Sequence, residues 1–380
     1  MLPYGRQSIE EDDIEAVAET LRSDFLTTGP TIEKFEAALC DVTGAQYAVV
    51  CSSGTAALHL SGMALGLGAG DAVIVPALTF LATANAVRYS GAEVVFADVD
   101  PDTGLMGPDH LEEALKRCTN LRPRAVFPVH MTGQCVDMPA IKKISDKKDL
   151  KIVADSCHAL GVAGSCADED MSAFSFHPVK AIAMGEGGAI TTNNKGYADA
   201  MRMLRSHGMV PDKSKGPWFY EMNQLGYNYR CTDFQCALGL SQLKKLPRFL
   251  ARRQMLAERY DALLGDIAPV RVRDHACHLY SVRINFAQTD IDRIALVRAL
   301  QEAGIGTQVH YIPVHTQPYY KERYGDIRLP GAEQYYERTL SLPLFPGMKD
   351  EDVDLVANTL IKILEGKNHD LCGTKNSIVR

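Results

Sequence analysis

The chain has 380 residues, 46% of them hydrophobic, and a formal net charge of −7. That balance, without a block of like charges, argues against a nucleic-acid surface, and no stretch approaches the ~18 consecutive apolar residues of a membrane span. The length suggests a large α/β domain with a smaller second one. Ten cysteines without a C-x-x-C pair read as reduced thiols in a cytoplasm, not as disulfides or zinc ligands. The opening residues, Met1 to Arg6, lack the apolar core of a signal peptide.

Taken in order, Ser8 with Glu11 forms a capping box, and Ile14, Val17 and Leu21 line one face of the helix that follows. Asp24 to Pro30 is a loop by its Gly-Pro, and a second helix runs from Thr31 to a stop at Gly44. The regular part starts at Tyr47–Cys51, a short apolar run followed by Ser52-Ser53-Gly54-Thr55 and a helical pattern through Leu58 and Met63. Strand, small polar loop and helix N-terminus make an anion site, because free N–H groups and the positive end of the helix dipole converge there. The same residues also describe an ordinary strand-to-helix turn. Further strands are predicted at Ala72–Val75, Val94–Ala97, Ala125–Val129, Ile152–Ala154, Ala173–Phe176 and Ala189–Thr192, with helical patterns between the earlier ones. The alternation predicts a largely parallel sheet covered on both faces. Ligands in such sheets sit beyond the carboxyl ends of the strands. Thr79, Phe80, His130, Asp155 and Ser175 all fall at such ends.

Past Asn194 the sheet pattern stops. The segment with Pro211, Lys213, Lys215 and Pro217 reads as a mobile loop whose lysines attract pyrophosphate or simply face solvent. A helical region from Thr232 to about Leu264 is bent or broken near Pro247. Tyr280 to Phe286 alternates like a half-exposed antiparallel strand, with helices near Ile291–Ala303 and Asp350–Leu364. The expected division is a large domain over 1–245, a small C-terminal α+β domain over 246–367 and a polar tail over 368–380.

The candidate chemistry lies between Asp155 and Lys180. Ile152 to Ala154 deliver an acid at a strand end, and a second apolar run, Ala173 to Phe176, leads to Lys180 and then to Gly185-Glu-Gly-Gly188. An acid and a lysine so placed suit pyridoxal 5′-phosphate (PLP). The lysine forms a Schiff base with the aldehyde, and the acid pairs with the pyridinium nitrogen. Two unrelated strand ends would give the same pattern.

Eight segments together resemble the DegT-type sugar aminotransferases, PLP enzymes of fold type I. They are Leu26–Gly29, Ser53–Thr55, Pro76–Phe80, Asp155–His158, Phe174–Lys180, Gly185–Gly188, Gly226–Arg230 and Gln308–Pro313. One departure is Ala181-Ile-Ala183, where the family carries a proline after the lysine. The resemblance implies that Lys180 is the Schiff-base lysine and proton shuttle, that Asp155 holds the pyridinium, and that His158 packs on the cofactor or orients Asp155. It implies that Phe80 stacks on the ring and that Gly54, Thr55 and Ser175 bind the phosphate. Asn228 of the partner subunit would complete that phosphate site, which requires a homodimer. Substrate contacts are implied for Tyr4, Asp24, Phe25, Leu26, Thr27, His310, Tyr311, Ile312 and Pro313, together with Gly54, Ser175 and Asn228. The implied reaction moves the amino group of L-glutamate to carbon 4 of a UDP-linked 4-keto-6-deoxy sugar. The resemblance is greatest to members acting in pseudaminic acid biosynthesis, with UDP-4-keto-pentose aminotransferases of lipid A modification as the nearest competitor. Sugar dehydratases of this kind carry His in place of Lys180, and a PLP-binding regulator would need neither the lysine nor the acid.

Overall fold

The computed structural model describes residues 1–164, 166–272 and 275–366, so the expected tail over 368–380 lies outside the described residues. Seven strands form one sheet: β1 (Tyr47–Cys51), β2 (Asp71–Pro76), β3 (Glu93–Ala97), β4 (Arg122–Val126), β5 (Lys151–Asp155), β6 (Met171–Ser175) and β7 (Gly188–Thr192). Their order is β1-β7-β6-β5-β4-β2-β3. Only β7 runs against the others, pairing antiparallel with both β1 and β6. The sheet is thus mixed and mostly parallel, as fold type I requires, and its strands are buried on both faces. That is why β2 and β5 read as unbroken apolar runs and not as an alternation.

Seven helices accompany the sheet: α1 (Glu11–Leu21), α2 (Pro30–Thr43), α3 (Gly54–Ala64), α4 (Leu81–Tyr89), α5 (Pro108–Lys116), α6 (Met138–Lys148) and α7 (Lys195–Leu204). Successive strand side chains point to opposite faces. Val49 and Cys51 therefore join one apolar layer with α3 and α7, while Ala48 and Val50 join another with Phe35, Leu39, Phe174 and Phe176. Each of those fully buried phenylalanines contributes roughly 1.5–3 kcal/mol. Helix α2 ends where expected, on Gly44 at φ +79°, a left-handed position that glycine takes without strain.

The rest comprises the hairpin β8 (Met209–Pro211) and β9 (Tyr220–Met222), helices α8 (Asp233–Leu243) and α9 (Leu246–Leu264), strand β10 (Tyr280–Arg283), helices α10 (Arg293–Glu302), α11 (Pro318–Tyr324) and α12 (Pro330–Arg338), strand β11 (Thr339–Leu342) and helix α13 (Asp350–Leu364). A separate apolar cluster joins α9, α10 and α13 to the antiparallel pair β10–β11. The break between α8 and α9 falls at Lys244-Lys245, with Pro247 in the first turn of α9, where its missing N–H costs nothing. No helix among the described residues is long and apolar enough to cross a membrane.

Four expectations need correction. The first helix is capped by Glu10 and Asp13, not by Ser8 and Glu11. Its Ile14 and Leu21 are exposed, because an ionic lock sets its orientation. Lys245, only 8% exposed, pairs with Asp12 at 2.6 Å and Asp13 at 2.8 Å, which resolves the cost of burying a cation. Strand β4 lies three residues earlier than its apolar run. Beyond it, Phe127 to Val129 continue irregularly toward Asp155. The Lys213–Lys215 stretch is the turn of the β8–β9 hairpin, in which Lys215 pairs with Glu221 at 2.7 Å. Strand β10 is buried along most of its length, because Ser281 meets the Ser341 hydroxyl at 2.8 Å while Tyr280 and Val282 enter the second core.

Glycine at 188 lets β7 pass the turn before α3: an added Cβ would sit 2.2 Å from the Ser53 carbonyl oxygen and 2.7 Å from the Gly54 nitrogen. Backbone would have to move. Gly188→Ala is expected to lower unfolding stability by about 1–3 kcal/mol, read as a lower denaturant midpoint.

Candidate active site

Asp155 ends β5 and is pinned at both backbone groups. Its N–H donates to Pro128 O at 2.8 Å and its carbonyl accepts from His130 N at 3.0 Å. The side chain is held as firmly. Thr83, on α4, donates its hydroxyl to Oδ2 at 2.7 Å, and the Cys157 N–H donates to Oδ1 at 3.1 Å. Thr79 stands 2.8 Å behind the Thr83 hydroxyl. Asp155 is 6% exposed, and among the described residues both its side-chain partners are neutral donors and no cation pairs with it. A buried carboxylate so arranged is hydrogen-bonded yet lacks a counter-charge, and a cationic ligand would supply one.

Lys180 lies in the loop between β6 and β7. Its own N–H donates to His177 O at 2.9 Å, and the loop closes through Phe176 N to Gly187 O at 2.8 Å. The side chain opens onto the same cavity as Asp155, a space of about 620 Å³ within the usual range for a small-molecule site. Burial lowers the proton affinity of the amine, while Cys157 and Asp155 act the other way. The net shift is downward, which raises the share of free, nucleophilic amine at neutral pH.

At the start of α3, Ser53 accepts the Ala56 N–H at 3.1 Å through its hydroxyl and the Ala57 N–H at 3.0 Å through its carbonyl. The Gly54 and Thr55 N–H groups are used by no other described residue and lie at the positive end of the helix. Gly54 has no room for a side chain: its Cβ would lie 2.8 Å from Ser175 Cβ and 3.2 Å from Cys157 Sγ. Three strand ends therefore meet a helix N-terminus at one point, a cradle suited to a phosphate.

The far wall comes from the β10–β11 side. Residues Gln308 to Ile312 line the cavity, anchored by backbone bonds between Gln308 and Ser341 and by His310 Nδ1 at 2.8 Å from Ser341 Oγ. Tyr4 packs on His310 at 5.4 Å between ring centroids, and Phe80 on Tyr311 at 5.8 Å. The Tyr311 hydroxyl lies 3.3 Å from His158 Nε2. Burial raises the Tyr311 phenol well above its ordinary range and pushes His158 well below its own, with Lys180 and His310 adding to the latter effect. Both groups are neutral at neutral pH.

Of the residues singled out from the sequence, Tyr4, Gly54, Thr55, Phe80, Asp155, His158, Ser175, Lys180, His310, Tyr311 and Ile312 line this one cavity. Asp24, Phe25, Leu26, Thr27 and Asn228 are exposed and do not line it within one chain, and neither does the buried Pro313. His130 does not face the cavity: it is buried, with Nδ1 accepting the Val136 N–H at 3.1 Å. Sequence reasoning missed Thr83, whose signal was its spacing of one helical turn from Thr79. It also missed Cys157, Glu186, Gln308 and Gln317 on the cavity wall, although the first three stand inside the segments that carry the family resemblance.

The arrangement matches PLP residue by residue: an acid lacking a counter-charge, an uncommitted lysine and an anion cradle face one cavity. Fold and cavity together define a PLP-dependent aminotransferase. The family model described as "DegT/DnrJ/EryC1/StrS aminotransferase family" matches residues 7–361, and the chain belongs to this family. It is 40% identical to the spore coat polysaccharide biosynthesis protein SpsC of Bacillus subtilis, over 96% of this chain and 97% of that protein. Among solved structures it resembles the Helicobacter pylori aminotransferase PseC, with a TM-score of 0.88 and 31% identity over 96% of this chain and 99% of that one. It also resembles the sugar aminotransferase Spr1654 of Streptococcus pneumoniae in its pyridoxamine phosphate form, with a TM-score of 0.90 and 30% identity over 96% of this chain and all of that one. The protein is a sugar aminotransferase, and its cofactor is PLP.

Two measurements probe the geometry. Thr83→Val deletes one donor to Asp155 without changing volume; stability of the cofactor-free protein should fall by about 1.5–3 kcal/mol in urea unfolding. Burial lowers the His130 pKa from 6.5 to about 4. The native state therefore refuses a proton that the unfolded chain accepts, so stability falls as pH drops through that window. The contribution is on the order of 3 kcal/mol, and His130→Gln should flatten the slope between pH 6.5 and 4.

Proposed function

We propose that this enzyme transfers the amino group of L-glutamate to carbon 4 of a nucleotide-linked 4-keto-6-deoxy sugar, with a UDP-linked 2-acetamido hexosulose of pseudaminic acid biosynthesis as the substrate that fits best. The single observation that carries the reading is Lys180, an amine with lowered proton affinity and no protein partner among the described residues, opening onto the cavity of Asp155. Two relatives support a sugar on its way into a glycan. SpsC is a protein of spore coat polysaccharide biosynthesis, and PseC is an aminotransferase involved in the biosynthesis of pseudaminic acid.

Bound PLP supplies an aldehyde for amine condensation and a ring that stores the electron pair left when a proton departs from carbon. Gly54, Thr55 and Ser175 would hold its phosphate, and Asp155 would provide the negative charge for its ring nitrogen. Phe80 would stack on the ring, and His158 would pack on the cofactor or orient Asp155. The Lys180 amine would take the proton from the α-carbon of glutamate and would return a proton to carbon 4 of the sugar. Its lowered pKa suits both directions. Overall, the amine of L-glutamate and the C4 carbonyl oxygen of the sugar would change places, giving 2-oxoglutarate and the amino sugar with no external oxidant or reductant. Tyr4, His310, Tyr311, Ile312 and Pro313 form the wall against which the sugar nucleotide lies.

A homodimer completes the site in this reading. Asn228 and the Asp24–Thr27 loop, which do not line the cavity of their own chain, would serve that of the partner. Phe25, Leu26, Trp218, Met222 and Leu225 are exposed on the segments around them, and a second copy would cover that apolar surface. The expected compartment is the cytoplasm, where nucleotide sugars are made.

Lys180→Ala should reduce turnover at least about 1,000-fold, measured as 2-oxoglutarate release, while the protein stays folded. NMR of products from a panel of nucleotide-linked 4-keto sugars should show a new C4 amine on the UDP-linked 6-deoxy-N-acetyl sugar. Amination of a UDP-pentosulose alone would overturn the choice of substrate.

A further inference from the structure

Behind the cavity wall lies a second imidazole that the reaction scheme does not use. His278 stacks on His158 with ring centroids 4.4 Å apart and planes 32° from parallel. Both rings are buried, at 4% and 7% exposure, and the Nδ1 atoms of both lack a hydrogen-bond partner among the described residues. Of the two, His158 alone reaches the cavity. We propose that His278 is a positioning residue: its ring face holds the His158 imidazole in the orientation that keeps Nε2 on the Tyr311 hydroxyl.

The backbone is built for this contact. Ala276 N donates to Gly133 O at 2.7 Å, and the His278 and Leu279 N–H groups share Thr132 O at 3.0 and 3.2 Å. Gly133 has φ +94°, and a Cβ on it would meet His158 O at 2.8 Å and His278 N at 3.0 Å. Two chain segments far apart in sequence are therefore brought within contact distance by a residue that only glycine can be. From the other side, the buried Arg253 of α9 donates to His278 O at 3.1 Å and to Leu344 O at 2.8 Å. The His278 backbone is thus clamped between the sheet and the β10–β11 unit.

Unpaired Nδ1 atoms mean that no hydrogen bond at that ring position fixes either ring. The Nε2 contact with the Tyr311 hydroxyl, 3.3 Å long, is then the one side-chain hydrogen bond that orients His158 among the described residues, and the ring face of His278 braces it from behind. The contact also leaves little of either ring open to solvent. The charged and titratable groups facing the pair are Lys180, His310 and Arg253, with Asp155 and the Tyr311 hydroxyl on the cavity side. Burial, Lys180 and His310 oppose a proton on either imidazole, and Arg253 adds to this at His278. Remove the flat ring behind His158, and water regains access; His158 can then take a proton near its ordinary range.

The inference rests on the PLP reading, and the test separates the two. Visible absorbance of the holoenzyme is titrated from pH 5 to 9 for the wild type and for His278→Ala, His278→Leu and His278→Phe, alongside the PLP dissociation constant and Tm. The alanine and leucine variants should show a new spectral transition between about pH 5 and 7 and roughly tenfold weaker PLP binding. The phenylalanine variant should lack the transition and bind within about twofold of wild type. Leucine nearly matches the volume of histidine without its flat face, so it decides the question if the alanine variant does not fold. Titrations of the leucine variant that superimpose on wild type, with only Tm changed, would reduce His278 to core packing. A wild-type holoenzyme without a PLP absorbance band would instead overturn the cofactor reading itself.

Discussion

A carboxylate held without a counter-ion is the constraint from which the rest of the site follows. Asp155 is buried, accepts from Thr83 and Cys157, and has no cationic partner among the described residues. Burying such a group costs free energy unless something positive joins it. The sheet provides the position, since the irregular continuation of β4 through Pro128 and His130 bonds both backbone groups of Asp155 at the end of β5. Helix α4 supplies the clamp. A cationic ligand bound there would return the stability given up.

Lys180 depends on a second feature, the reversed direction of β7. A parallel β7 would need a long crossover from β6. An antiparallel one needs only a loop at the same end of the sheet, and that loop carries the lysine over the end of β5. Gly188, pressed against Ser53, ties the return strand to the phosphate turn. Acid, amine and anion cradle therefore meet at one end of the sheet, where β1, β5 and β6 finish and β7 begins. The β10–β11 unit closes the cavity with Gln308 to Ile312, and burial leaves the amine and the histidines unprotonated more readily than in solvent.

Much of this was legible in the sequence because buried strands write themselves as apolar runs. Six of the seven strands predicted for the sheet begin within two residues of those observed, and Asp155 and Ser175 stand at strand ends as expected. β4 was displaced because an apolar run marks burial, and Phe127 to Val129 are buried without being paired as a strand. The orientation of α1 was not legible, since its apolar stripe suggested burial while the deciding contact was Lys245, distant in sequence. The same limit hid Thr83 and His278. Their roles arise only when α4 and the approach to β10 are brought against β5 and His158, and nothing local in the chain encodes that meeting. The β8–β9 hairpin escaped notice because its turn is rich in proline and lysine, which read as loop.

The most direct test of the central claim is chemical. Borohydride reduction of the holoenzyme fixes the cofactor to whichever amine holds it, and peptide mass spectrometry locates the label. The geometry predicts the pyridoxyl group on Lys180, in a single peptide, with Asp155→Ala greatly reducing the yield. A label on any other lysine, or equal labelling in the Asp155→Ala variant, would contradict the account.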